Sequence, residues 1–334
     1  MARADDEGEL YASPAWLSAV WLVLVVIVVL EAVDELFDVG GPKVLYETWF
    51  HDAVLAASAG LILARAAYEP KARAAWVAFG LAQTTWLVGN VAWSIAYSGR
   101  ANPPYPTFAD VLWLLWYPLI FLGIASLIRL RVDNFELHRW MDGIAAVLVV
   151  LVAGSAFVLH PVLEGHHQGT LAAVVDFSYP VLDILVIGAL LGVYGLVGWR
   201  PDRMWVLIGL GILVITIADA SFAVRQASGL SDDRYAFTAS LGALLLAYAA
   251  WVRVPQRERP VERVTGLRAV ALPLMAQGLA AGVQVYSFFH PEDTGEEVVT
   301  LVVLVVASVQ IILTRPRPAG AATGTAGDED GQGR

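Results

Sequence analysis

The chain has 334 residues, of which 58% are hydrophobic and only 16% charged, with a formal net charge of −10 and a mean hydropathy of +0.64. That balance excludes a disordered chain and gives no nucleic-acid-binding signal; it points to the lipid bilayer as the surrounding medium. The absence of cysteine excludes disulfides, Cys-ligated metals and thiol catalysis.

From the N-terminus, an acidic stretch within residues 1–13 (ARADDEGE) precedes the first apolar run. A basic leader and a small-residue cleavage site are both missing there, so the run reads as a retained span and not a removed signal peptide. Runs of about 18 or more apolar residues can cross a roughly 30 Å hydrocarbon core as helix. The sequence predicts such spans at 14–33, 50–67, 74–97, 108–129, 141–160, 170–198, 204–225, 235–253, 267–289 and 297–314. Lipid offers the backbone no hydrogen bonds, so these spans are helices. The short alternating segments of a membrane β-barrel are not the pattern. The expected fold is an all-α polytopic membrane protein with about ten transmembrane helices over 14–314. A cytoplasmic segment 1–13 precedes it and a disordered cytoplasmic tail 315–334, rich in Gly, Ala and Pro, follows it.

Basic residues orient the spans. All of the 21 Lys and Arg except Lys43, Arg100, Arg225 and Arg234 fall in alternate loops or at the termini. That set is predicted to be cytoplasmic, which puts both ends of a ten-span chain inside, in the plasma (inner) membrane. The opposite face is acidic: Glu31, Asp34, Glu35, Asp38 and Glu47, then Asp232 and Asp233, then Glu292, Asp293, Glu296 and Glu297. It reads as a solvated exterior or as a mouth that attracts cations.

The spans repeat. DAVLAASAGLILARAAYEP from Asp52 aligns with DILVIGALLGVYGLVGWRP from Asp183, and WVAFGL at Trp76 with WVLIGL at Trp205. Asn90 then meets Asp219, Trp93 meets Phe222, and Arg129 meets Arg253. Spans 2–4 therefore recur as spans 6–8. The unit is four helices, with copies at about 14–131 and 141–254 and a half copy at 266–314. An even number of helices makes the repeat parallel and not inverted.

Polar groups within spans are costly and usually face a bundle interior or a wet cavity. Asp183 lies within span 6, and Asp219 and Asn90 lie near the outer ends of spans 7 and 3. Asp52, Asp110 and Asp176 open spans 2, 4 and 6, and Gln284, Tyr286 and His290 close span 9. Trp93, Trp113, Trp116, Tyr117 and Tyr179 are interleaved with them. Two readings stay open. Thr107 followed by Asp110 is a capping pair at a helix start, and aromatic residues near span ends form interfacial belts. Alternatively, Asp183, Asp219, Asn90, Asp110, Trp93, Tyr117 and Tyr179 form an outer-side ligand site. Pro118, Pro180 and Pro273 interrupt helix hydrogen bonding near that level. The adjacent His166 and His167 read as a surface loop, because neighbouring histidines rarely reach one ion. Neither a metal site nor a catalytic set is expected, and no cofactor. Both lysines, Lys43 and Lys71, fall in loops, which disfavours a retinal protein.

The stretch PPYPTFADVLWLLWYPLIFLGIASLIRLR, residues 103–131, resembles a recurring segment of actinobacterial membrane-anchored GGDEF/EAL diguanylate cyclases and phosphodiesterases. The resemblance rests on Pro104, Pro106, Ala109, Asp110, Tyr117, Pro118 and Leu119, and extends to the Asp183 segment with GWRPDRMW and to IADASF around Asp219. It implies a multi-helix sensor region. The departure is that no GGDEF or EAL signature follows span 10, so the catalytic activity of those proteins is not implied and the input role is. The expected function is a sensory or signal-transduction module that works through a cytoplasmic or membrane partner, a second copy of the chain included, and is not an enzyme. A small-solute or cation transporter or channel is the alternative; an intramembrane lipid enzyme is a third reading that lacks converging histidines.

Overall fold

A computed structural model of the chain describes residues 15–37, 39, 48–97, 100, 103–131, 170–197, 200–227 and 236–252. Among the described residues the regular structure is helical throughout: α1 (Ala15–Phe37), α2 (His51–Tyr68), α3 (Arg73–Ala96), α4 (Phe108–Arg131), α5 (Thr170–Leu196), α6 (Arg203–Ala227) and α7 (Ala236–Trp251). Each coincides with a predicted span to within a few residues. The predicted spans 141–160, 267–289 and 297–314 lie outside the described residues. Among the described residues five helical segments are long and apolar enough to cross a membrane: Trp16–Phe37, Thr48–Tyr68, Phe108–Leu130, Val174–Gly195 and Arg203–Phe222. Helix α3 is 24 residues long but carries Gln83, Thr84, Thr85 and Asn90. Its two threonines turn their hydroxyls back onto the Gly80 and Ala82 carbonyls, a way of hiding polarity inside a helix. The chain is a membrane-embedded helical protein.

Local chemistry sets the helix ends. After α2, Glu69 and Pro70 open a 3-10 turn, Pro70–Ala72, since proline cannot continue a helix interior. Arg65 pairs with Glu69 at 3.0 Å, and Arg73 Nε donates to the Ala66 carbonyl at 3.2 Å, satisfying an end carbonyl that the helix cannot. At the start of α6, Asp202 Oδ1 accepts from the Trp205 backbone N–H at 3.1 Å, an N-cap.

Helices α2 to α7 pack in cyclic order, each on the next, and α7 closes back onto α2; α1 lies outside against α7 and α2. Contacts fix the directions. In the α3/α4 pair Trp86 meets Trp116 and Trp93 meets Trp113, so the two are antiparallel. The same holds for α6/α7, where Gly211 meets Leu246 and Gly242 meets Ile215, and for α1/α7, where Trp21 meets Tyr248 and Glu35 meets Phe237. Two junctions are parallel instead. Between α4 and α5, Asp110 meets Tyr179 and Tyr117 meets Asp183. Between α7 and α2, Ser240 meets His51 and Trp251 meets Leu61. Most of the interior away from the helix starts is apolar, with Ile120, Ile124, Leu127, Leu190, Ile208 and Ile212 all buried, while Ser58 of α2 and Gln83 of α3 are polar side chains buried among such residues without a hydrogen-bond partner.

One sequence expectation is corrected. Glu31 does not belong to a solvated acidic exterior: α1 continues to Phe37 and the Glu31 side chain is 1% exposed. Nor is Glu35 simply solvated, since both its oxygens accept the Phe237 backbone N–H at 3.0 and 3.1 Å. A carboxylate there meets the positive end of the α7 dipole, so α1 is tied to α7 by a cap supplied from a neighbouring helix.

Candidate functional site

The predicted site residues gather at one end of the bundle, where α2, α4 and α5 begin and α3 and α6 end. They form two groups. The first spans the parallel α4/α5 junction. Asp110 is the third residue of α4 and 4% exposed. Its Oδ2 accepts both the Thr107 backbone N–H at 2.7 Å and the Thr107 hydroxyl at 2.8 Å, the carboxylate half of a capping box. Its Oδ1 accepts the Tyr179 hydroxyl of α5 at 3.0 Å. Asp110 is thus both a cap and a member of the polar cluster, which are not competing roles.

The reverse bond lies deeper. Tyr117 of α4, 2% exposed, donates to Oδ1 of Asp183 of α5, 7% exposed, at 2.8 Å. Tyr117 sits nine residues below the start of α4, roughly 14 Å along the axis. Above the pair, Tyr105 donates to Asp176; burial first, then this bond and the charges of Asp176 and Asp110, pushes the Tyr105 phenol far up, so it remains a donor at any physiological pH. Asp219 on α6 is partly exposed and close enough for its charge to act on Asp183, Tyr117 and Tyr179. Pro118 and Pro180 lie inside α4 and α5 beside these residues, and each deletes one bond of its helix ladder.

The second group joins α2, α3 and α4. Trp113 Nε1 donates to Asn90 Oδ1 at 2.9 Å, and the Asn90 amide reaches Asp52 Oδ1 in a long contact of 3.5 Å. Gly89 makes this possible: a Cβ there would stand 2.6 Å from Trp113 Nε1. Trp93 stacks on Trp113 with centroids 6.1 Å apart. The aromatic residues are therefore wired into the bundle as well as lying near its end. Trp116, expected in an interfacial belt, is 4% exposed in the core.

Sequence reading passed over three participants, Tyr105, His51 and Ser240, and misplaced a fourth, Glu31. Tyr105 lies in a proline-rich loop where it looks like linker. Glu31, His51 and Ser240 come from segments up to 209 positions apart in the chain, and only the fold unites them: His51 Nδ1 and Ser240 Oγ are 2.7 Å apart. Gln284, Tyr286, His290, His166 and His167 lie outside the described residues. Among the described residues no group of three or more His, Cys, Asp or Glu is arranged to hold a metal ion. Comparison with known protein families, curated proteins and solved structures finds no match.

The arrangement is chemically loaded. The Asp219 charge acts on Asp183, and like charges at short range oppose each other. Asp219→Asn is expected to raise the unfolding midpoint in detergent, by roughly 0.5–2 kcal/mol, as relief of a strained functional site does. An SDS or thermal unfolding series with Asp219→Asn beside the native chain measures it; a lower midpoint would mean that the Asp219 charge is compensated.

Proposed function

We propose that this chain is a sensory or signal-transducing membrane module, and that the α4/α5 junction is its switch. The observation that carries the reading is reciprocity: α4 gives a tyrosine to an aspartate of α5 and α5 gives one back. A ligand with cationic or hydrogen-bond-donor groups that takes the carboxylates of Asp110 and Asp183 must displace Tyr179 and Tyr117. Every such exchange loosens one half of the bundle from the other. A ligand shifts a conformational equilibrium only through different affinity for the two packings, and the junction supplies that difference. Asp219, Asn90 and Trp93 complete the rim. The output goes to a cytoplasmic or membrane partner, a second copy of the chain included, and the module performs no catalysis itself. The sequence resemblance to sensor regions of GGDEF/EAL proteins agrees with this role.

The topology we favour has ten spans in a parallel four-helix repeat, in the plasma (inner) membrane with both termini cytoplasmic. Supporting it, α2–α3–α4 and α5–α6–α7 have the same directions and neighbour order, and each half meets the other at a parallel junction. In the repeat alignment the pair Asp52–Asn90 corresponds to Asp183–Asp219, so the second half carries an acid where the first carries an amide.

Transport is the weaker reading, because past Tyr117 and Asp183 the buried side chains of α4 and α5 are apolar. The deciding experiment screens purified protein against alkali and ammonium cations, organic amines and amino acids by thermal shift, with Asp110→Asn/Asp183→Asn in parallel. A ligand at 100 times its Kd stabilises by about 2.7 kcal/mol. The expected result is a stabiliser lost in the double variant that changes hydrogen exchange at the far end of α4 and is not carried into liposomes. Uptake of that ligand, abolished by the same substitutions, would replace sensing by transport.

A further inference from the structure

The second parallel junction, α7/α2, holds a polar group that the proposed switch does not use. Glu31 of α1 is 1% exposed, and neither of its carboxyl oxygens has a hydrogen-bond partner. Ser240 of α7, 0% exposed, lies close enough to that carboxyl to interact with it. The Ser240 hydroxyl is in turn 2.7 Å from His51 Nδ1. His51 is partly exposed at the start of α2, with its ring edge-on to Trp86 at 6.1 Å. The three residues therefore run from a sealed carboxyl, through a hydroxyl, to an imidazole at the end of the bundle.

An ionised carboxylate buried with no partner is expensive, and in a membrane protein such a group marks a proton or ion path. A metal ion is a poor occupant: one carboxylate, one hydroxyl and one imidazole do not make a coordination shell. We propose that Glu31, Ser240 and His51 form a proton relay, with Glu31 as the proton-storing group. In the uptake direction His51 imidazolium gives its Nδ1 proton to Ser240 Oγ while the Ser240 O–H proton passes to a Glu31 oxygen. Imidazolium plus carboxylate becomes imidazole plus carboxylic acid; one proton moves, charge balances and nothing is oxidised. Hydroxyls suit this place because they donate and accept at once.

The other charged groups around Glu31 are accounted for. On α1, Glu35 is held by the Phe237 backbone N–H, and Asp34 lies one residue before it. On α2, Asp52 is engaged by Asn90. On α7 the residues level with Glu31, from Ala236 to Ala243, include none that titrates. Among the described residues around it, Glu31 is thus the carboxyl that is sealed and has only the Ser240 hydroxyl to turn to.

Infrared difference spectroscopy on the full chain in liposomes tests the relay. The expected result is a protonated-carboxyl C=O band at neutral pH that disappears in Glu31→Gln and persists in Glu35→Gln. After an acid jump the band should grow roughly a hundredfold more slowly in Ser240→Ala, the size of effect that a positioned proton donor supplies, while its final height is kept. Glu31→Gln preserves shape and size, so loss of the band is not loss of the fold; circular dichroism of each variant checks this. The relay is overturned if the band survives in Glu31→Gln, if Ser240→Ala leaves the rate unchanged, or if the band appears only when sodium or ammonium is withdrawn, which would make the site one for a cation.

Discussion

Tyr117→Phe is expected to destabilise the bundle by about 1–3 kcal/mol, because it leaves the buried Asp183 carboxyl without its donor. Tyr117 is 2% and Asp183 7% exposed, and the bond between them is 2.8 Å. Water cannot replace the lost hydroxyl cheaply in such a place. Asp183→Asn should cost less, since an amide oxygen still accepts from Tyr117 and the nearby Asp219 charge no longer meets a like charge. Asp183→Leu removes the need for a donor altogether. The pair Tyr117→Phe with Asp183→Leu should therefore lose much less than the sum of the single changes, with a coupling of about 0.5–3 kcal/mol. Hydrogen bonds between transmembrane helices average only about 0.6 kcal/mol in such cycles. That figure decides the interpretation. A coupling near it would make Tyr117–Asp183 an ordinary interhelical bond, unsuited to hold two halves as a switch. A coupling well above it would make the junction a latch. SDS-unfolding midpoints of the four proteins in one micelle system give the number.

The helices were legible because their signal is local. Each apolar run is continuous, and breakers such as Pro70 and caps such as Asp202 sit within a few residues of the ends they set. The capping role of Asp110 was legible for the same reason, Thr107 being three residues away. The junctions were not. Tyr117 and Asp183 are 66 residues apart, and His51 and Ser240 189. Nothing in an apolar helix states which neighbour a polar residue will face; a tyrosine near a span end fits a lipid interface as well as a buried partner. Glu31 was misplaced by a different rule. Acids following an apolar run normally mark its exit into water, and Glu31, Asp34 and Glu35 look like one such exit. The helix continues because α7 covers that face, with Glu35 capping α7 and Trp21 packed on Tyr248 with centroids 5.3 Å apart. Burial of Glu31 is a consequence of that tertiary contact and has no local cause.

Gly242→Ala tests what holds α7 in register, and here one methyl group is expected to cost about 1–3 kcal/mol through overpacking. A Cβ at Gly242 would stand 2.5 Å from Ile215 Cγ1 and 2.7 Å from the Gly211 carbonyl oxygen; one at Gly211 would stand 2.9 Å from the Gly242 carbonyl. The obstacle is partly backbone on both sides, so no rotamer change relieves it and the two helices must part. Close approach at small residues is how helices associate where lipid is as apolar as the side chains. Gly60→Ala on α2 is the control, with nothing within 4 Å of the added Cβ. That change should stabilise by about 0.5–1 kcal/mol, the usual gain from replacing an unneeded helix glycine. Opposite signs for the same chemical change would locate the tight crossing at α6/α7. Ser240 lies two residues before Gly242 on α7, so displacing α7 also moves the hydroxyl that faces His51 and Glu31. Gly242→Ala should then disturb the Glu31 carboxyl band as well as the unfolding midpoint, whereas Gly60→Ala should move only the midpoint. If Gly242→Ala is neutral in both, α6 and α7 have slack between them, and the register of Ser240 is set by its other neighbours on α1 and α2.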